Sequence, residues 1–133
     1  MAAFHFEIVS PETLVFSGEA LSVTVPGAEG EFTILSGHAP LISSLKPGLV
    51  TIEAAAAQKR QIFVPGGFAE VGLSGLTVLA DRTIELAELD AAKLDAEIVS
   101  AEAAVAAATS DEVRRVATEK RDHLQELKAA LNI

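Results

Sequence analysis

The 133-residue chain contains no cysteine, tryptophan or tyrosine, and a single methionine. Without cysteine there is no disulfide and no thiolate nucleophile, which fits a reducing compartment. Basic residues are scarce, with ten Lys and Arg against nineteen Asp and Glu, a net charge of −9. That balance argues against a nucleic-acid binder, because phosphate backbones demand a surplus of Lys and Arg. Nowhere do about 18 apolar residues run together, so no segment reads as a membrane-spanning helix. The start, Met1-Ala2-Ala3-Phe4-His5, lacks the basic and then apolar pattern of a signal peptide. Transit-peptide features are missing too, so a bacterial or organelle-encoded protein is expected. Glycine and proline are absent after residue 75. Half the residues are nevertheless apolar, enough for the core of one domain with an appendage and too many for wholesale disorder.

The distribution of glycine and proline divides the chain into two grammars. From residue 4 to about 86, short runs alternate apolar and polar residues with period two, the mark of half-buried strands. Phe4, Phe6 and Ile8 alternate with His5 and Glu7, and Leu21, Val23 and Val25 alternate with Ser22 and Thr24. Similar runs lie at 32–35, 49–54, 61–64, 68–71, 76–80 and 84–86. Turn signals stand between them, including Ser10-Pro11, Ser17-Gly18, Pro26-Gly27, Pro47-Gly48 and Pro65-Gly66-Gly67. This pattern predicts an antiparallel sandwich or barrel.

After Glu88 the period becomes helical and alanine abundant. Asp90 is placed to cap a helix over about 91–108, with Leu94, Ile98, Ala101 and Val105 on one face. Thr109-Ser110-Asp111-Glu112 fits a capping box with Thr109 as the cap. A second helix is predicted over 110–131, with Val113, Ala117, Leu124, Leu127 and Leu131 as its stripe. The short break between the helices predicts an antiparallel hairpin. The fold class is therefore α+β, an N-terminal antiparallel β-sandwich over residues 1–87 followed by a C-terminal α-helical hairpin over 88–133.

Charge is unevenly shared. Residues 88–112 carry one basic and seven acidic side chains, whereas 113–128 carry five basic and three acidic ones. One reading is intramolecular, with pairs such as Asp111–Arg115 at helical spacing. The other is that the second helix presents arginines to an acidic partner.

No catalytic motif survives inspection. No pair of glycines has the dinucleotide spacing, no glycine precedes Lys and then Ser or Thr, and Gly72-Leu73-Ser74 lacks the second glycine of a nucleophile elbow. His5, His38 and His123 are too scattered for a zinc helix motif, so no metal or cofactor is expected. The densest polar stretch is Pro26–Leu41, with Gly27, Gly30 and Gly37, Glu29 and Glu31, and His38 before Ala39-Pro40. Paired carboxylates there would suit glycoside chemistry, but beside Pro-Gly they read more simply as solvated turn acids. His38 reads equally as a loop side chain holding local backbone or as a partner contact.

The spacing Val25-Pro26-Gly27-x-x-Gly30-Glu31, then Ile34-Leu35, Gly37-His38-Ala39-Pro40-Leu41 and Leu45-Lys46-Pro47-Gly48, closely resembles the family of ε subunits of F-type ATP synthases. The block Val64-Pro65-Gly66-Gly67-Phe68-Ala69-Glu70-Val71 through Thr77-Val78-Leu79-Ala80-Asp81 resembles it as well. So do Val9-Ser10-Pro11 and Phe16-Ser17-Gly18, and the resemblance covers the whole chain. It implies a sandwich of about ten strands and a non-catalytic place in the central rotor, between the γ subunit and the ring of c subunits. It implies that Ala28, Glu29, Glu31, His38, Ala39 and Pro40 make rotor contacts, with the Ala28–Glu31 turn facing the c ring. It also implies that the complex is peripheral to the bacterial inner (plasma) membrane on its cytoplasmic side, with no cofactor on this chain.

For the hairpin, the resemblance implies either a folded posture or extension along γ toward the catalytic β subunits, inhibiting ATP hydrolysis. Ala101, Ala103, Ala104, Ala106, Ala107 and Ala108 would pack closely yet bury little area each, so such a hairpin would detach cheaply. Arg114, Arg115 and Arg121 would meet acidic groups on β. Some relatives bind ATP through Ile or Leu, Asp, two variable residues, Arg and Ala. This chain has Leu89-Asp90-Ala91-Ala92-Lys93-Leu94 there, with Lys93 lacking the planar fork that grips phosphate twice. Weak or absent ATP binding is expected at Asp90 and Lys93. Two other readings are a stand-alone adaptor with a helical dimerisation hairpin, and a small hydrolase or sugar binder using Glu29, Glu31 and His38.

Overall fold

The structure, a computed structural model, describes residues 2–54 and 58–133. Ten strands come first: β1 (Phe4–Val9), β2 (Leu14–Ala20), β3 (Ser22–Gly27), β4 (Gly30–Ile34), β5 (Leu41–Leu45), β6 (Gly48–Glu53), β7 (Lys59–Val64), β8 (Gly67–Gly72), β9 (Gly75–Leu79) and β10 (Ile84–Glu85). A 3-10 turn at Leu86–Glu88 leads to helices α1 (Ala91–Ala107) and α2 (Asp111–Leu131). The chain divides into two compact units, Met1–Leu86 and Ala87–Ile133.

The strand order is β10-β7-β6-β3-β5-β8-β9-β1-β2, with β4 on the other edge of β3. Every pairing is antiparallel except β1 with β9, which run parallel from His5↔Gly75 to Val9↔Leu79. Local alternation does not reveal such a long-range partner, so the parallel pair is new information. The sheet curls because β3 divides one edge between two neighbours. Its first residues pair β6 at Ser22↔Glu53, Val23↔Ile52 and Thr24↔Thr51, while its last pairs β5 at Gly27↔Leu45. Inward residues from both halves then meet. Phe6, Ile8, Val23, Val25, Val50 and Val78 are each fully buried in one core, the segregation that period-two alternation demands.

Several local readings are corrected. The run 20–25 is not one strand, because the chain bends at Leu21 between β2 and β3. Ser17-Gly18 is no turn but lies inside β2, where Gly18 pairs Phe6. A Cβ at Gly18 would meet only the Phe16 ring at an ordinary 3.5 Å, so this glycine does not interrupt the ladder. β5 carried no strand signal, because Ile42 lies at an outward position of its alternation and is 71% exposed.

In the hairpin unit, Asp90 caps α1 through its side chain, which accepts from the Lys93 amide at 2.8 Å. The α2 cap is Ser110 rather than Thr109, its hydroxyl accepting from the Val113 amide at 3.2 Å. Shifting the cap by one residue removes Glu112 from the third helical position, so the expected capping box does not form. Glu112 instead pairs Arg115 at 2.7 Å. The expected Asp111–Arg115 pair is absent as well: Arg115 takes Glu112 and Glu119, and Asp111 takes Arg114. Both glutamates lie on the Arg115 face, three residues before it and four after. Lys128 late in α2 pairs Asp95 early in α1, fixing the helices as antiparallel. Of the expected stripe of α2, Val113 is 53% exposed, Ala117 and Leu124 are buried, and Leu127 and Leu131 are half-buried. Of the alanines expected to pack, only Ala101 is buried, and Ala103, Ala104, Ala106 and Ala107 face solvent.

Candidate coupling surfaces

The stretch Pro26–Leu41 is a seam of the sandwich rather than one site. Two backbone bonds flank the Gly27↔Leu45 pair: the Ala28 amide donates to Ser44 O, and the Lys46 amide donates to Pro26 O, both at 2.9 Å. The halves of the curled sheet are joined here. Glycine is required by close approach, because a Cβ on Gly27 would lie 2.6 Å from Gly30 O and 2.7 Å from the Phe32 ring. A Cβ on Gly48 would lie 2.7 Å from the Pro26 ring. Pro26-Gly27 and Pro47-Gly48, two of the three Pro-Gly dipeptides of the sequence, are thus opposite sides of one joint.

Ala28 and Glu29 form the two-residue loop of the β3–β4 hairpin, closed by the Gly27↔Gly30 pair. Gly30 has φ +137, which suits a tight hairpin exit. Ala28, Glu29 and Glu31 are exposed, and among the described residues Glu29 and Glu31 make no ion pair. They form a small acidic tip on a rigid base.

His38, Ala39 and Pro40 do not join that tip. β4 runs five residues from Gly30 at the tip to Ile34, a rise of roughly 13 Å, so the Leu35–Pro40 loop stands at the other end of the hairpin. Here the His38 amide donates to Leu35 O at 3.1 Å, closing a turn with Gly37 at φ +82, the position where positive φ calls for glycine. His38 Nδ1 donates to Ala39 O at 2.7 Å. The loop borders an open cleft of about 570 Å³ whose walls include His5, Glu19, Ser74 and Gly75. The six residues grouped by resemblance therefore occupy two ends of the sandwich.

An apolar surface went unseen in the sequence. Phe68 on β8 pairs in register with Leu79 on β9, and Ile42 lies on neighbouring β5 two residues from the partner of Phe68. Ile42, Phe68 and Leu79 are 71%, 53% and 48% exposed. Diagonal neighbours at this spacing touch through long side chains, so three adjacent strands present one apolar strip. The available signal was the misplaced Ile42, which breaks the alternation of Leu41–Leu45.

The arginines of α2 are internally engaged. Arg114 binds Asp111 at 3.1 Å and donates to Ala108 O at 3.2 Å, closing the end of α1. Arg115 is bracketed by Glu112 at 2.7 Å and Glu119 at 2.8 Å. Hydrogen bonding to Glu112 first, and then to Glu119, raises its guanidinium above the usual arginine value, so it stays charged throughout the working pH range. Arg121 pairs Asp122 at 3.0 Å. Lys93 donates through Nζ to Glu88 O at 2.8 Å, beside the Asp90 cap, so both residues of the nucleotide-like motif already have local partners. Among the described residues no His, Asp or Glu cluster suits a metal, and no helix is long and apolar enough to cross a membrane.

A family model described as "ATP synthase, Delta/Epsilon chain, beta-sandwich domain" matches residues 3–86. The chain belongs to this family. It is 52% identical to the ATP synthase epsilon chain of Parvibaculum lavamentivorans, over 93% of this chain and 94% of that one. The ATP synthase epsilon chain of a Bradyrhizobium species is 46% identical, over 99% and 96% of the two chains. A chain in the cryo-EM structure of the Euglena gracilis mitochondrial ATP synthase, seen with OSCP, F1 and c-ring, superposes with a TM-score of 0.75. It is 25% identical, over 98% of this chain and 82% of that one. A chain from the central stalk and c-ring of the Tetrahymena thermophila mitochondrial enzyme shares the fold at TM-score 0.69 and 12% identity, over 98% and 96% of the two chains.

Proposed function

We propose that the chain is a non-catalytic rotor subunit of an F-type ATP synthase, fastening γ to the c ring so that proton-driven rotation reaches catalytic sites on other subunits. The observation that carries this reading is similarity to ATP synthase epsilon chains over 93% or more of the chain, hairpin included. The physical features agree with it. A curled sheet locked by the Gly27–Leu45 seam is stiff, and interiors packed to crystal-like density transmit strain. The acidic Ala28–Glu31 tip is suited to the c ring, and the Ile42–Phe68–Leu79 strip is an apolar face of the kind that docks another protein. The His38–Pro40 loop is a second contact at the opposite end. On this reading the complex, and the chain with it, lies on the cytoplasmic side of a bacterial inner membrane. Isolation of the complex through a tag on the full chain tests the reading, with γ and the c ring expected in the eluate.

The hairpin is the regulatory part of the same proposal. Its solvent-facing alanines hold α1 helical by intrinsic propensity without requiring a partner over that surface, which suits a segment that changes neighbours. Lys120, which makes no ion pair among the described residues, is a better placed cation for an acidic partner than Arg114, Arg115 or Arg121. Those three would have to give up existing partners. Nucleotide binding is not expected at Asp90 and Lys93. Calorimetric titration of the isolated chain with ATP should show no saturable heat, and micromolar affinity would contradict this.

A further inference from the structure

The two ends of the helical hairpin are held differently. At the tip the chain itself joins α1 to α2 through residues 108–110, and Arg114 adds bonds to Asp111 and Ala108 O. At the other end nothing covalent joins the helices, and an open cleft of about 400 Å³ lies there. Its walls include Asp95 and Ile98 on α1 and Lys128, Asn132 and Ile133 at the end of α2. On α2, burial fades toward this end. Leu124 is its last fully buried residue, and Leu127 and Leu131 beyond it are only half-buried.

Lys128 stands at this cleft and is held twice. Its ammonium pairs the Asp95 carboxylate, and its carbonyl oxygen accepts from the Ile133 amide at 3.4 Å. The Asn132 amide donates to Ala129 O at 3.1 Å, with Asn132 in the left-handed region at φ 57. These two bonds form a Schellman motif, which satisfies end carbonyls of the helix. It also turns Ile133 back to the cleft that Ile98 borders. A lysine in the last turn is further favoured by the negative end of the helix dipole. We propose that the Lys128–Asp95 pair and the Asn132–Ile133 cap form a latch at the open end of the hairpin. Released, it lets the last turns of α2 leave α1, while Arg114 and the connector keep the tip closed. Because Lys128 and Asp95 are 32% and 51% exposed, salt screens the pair. A charged partner competing for either group would open the same end. The latch lies wholly within the unit Ala87–Ile133, and the inference stands apart from the rotor reading.

Hydrogen exchange on the isolated full chain, followed by mass spectrometry, tests it. Asp95→Asn alters only α1, yet it should speed exchange in the α2 peptide spanning 123–131 by roughly three-fold, the effect of one partly exposed ion pair. Lys128→Gln should do the same, and the double variant should add little, because both changes remove one interaction. Raising salt from about 0.05 to 1 M should speed that peptide in the unaltered chain and leave it unaffected in Asp95→Asn. Asn132→Val, which forces a β-branched residue into positive φ, should speed it by roughly five-fold or more. Asn132→Gly, which tolerates that conformation, should not. The peptide 111–117 at the tip should exchange alike in all of them. Unchanged exchange at 123–131 in Asp95→Asn or in Asn132→Val overturns the proposal. So does equal acceleration at 111–117, since that would be opening of the whole hairpin rather than of its end.

Discussion

Gly75→Ala is expected to destabilise the sandwich by about 3 to 5 kcal/mol, combining backbone strain with a steric clash. Gly75 has φ +139, and a Cβ built there lies 2.0 Å from His5 O and 2.9 Å from its carbonyl carbon. The obstacle is the backbone of β1, which no side-chain rotation relieves. His5↔Gly75 opens the parallel β1–β9 ladder, and β1 carries Phe6 and Ile8, both fully buried. Displacing His5, the neighbour of Phe6, therefore disturbs the centre of the core. For a domain of this size the loss corresponds to roughly 12–40 °C in melting temperature. Gly72→Ala is the control three residues away, since its Cβ meets nothing within 4 Å, and it should be neutral or slightly stabilising through the unfolded chain. Thermal unfolding followed by circular dichroism reads both. Equal small shifts for the two variants would show that β1 does not press on Gly75.

Deleting residues 88–133 is expected to raise ATP hydrolysis by the assembled enzyme by roughly five-fold or more, the scale of an ordinary regulatory coupling. The cut falls just beyond the Leu86/Ala87 boundary between compact units, so the sandwich keeps its ladders and its core. A hairpin that inhibits by visiting the catalytic head must have a surface to spare. Val99, Val113 and Val116, at 62%, 53% and 54% exposed, provide apolar groups for that encounter. Steady-state hydrolysis with saturating ATP measures the effect. An unchanged rate, with the truncated chain still present in the complex, would remove the inhibitory role and leave the rotor role standing.

Much of the sandwich was legible because one face of each strand is buried, and burial writes itself as alternation. Phe6 and Ile8, Val23 and Val25, and Leu76 and Val78 are all found inside where period two places them. The exceptions have physical causes. β5 was invisible because Ile42 faces outward in the strip with Phe68. β2 was hidden because its glycine sits in mid-ladder. Between Thr109 and Ser110, both competent caps, sequence offered no means of choosing. The candidate contacts were less legible than the fold. Glu31 and His38 are seven residues apart, yet β4 carries the chain from one end of the hairpin to the other between them. Arg114 and Arg115 looked available in sequence, but local geometry commits them to Asp111, Ala108 O, Glu112 and Glu119. Family resemblance carried the functional reading, which composition and spacing alone left at a β domain with no catalytic apparatus.

In the proposed rotor role this chain holds γ to the c ring. The most direct measurement is isolation of the complex from detergent-solubilised membranes through a tag on the full-length chain, with quantification of each co-isolated subunit. In that role γ is expected in one-to-one ratio with the tagged chain, together with the c ring. Recovery of the chain alone or only with further copies of itself, while γ and the ring remain together in the unbound fraction, would contradict it.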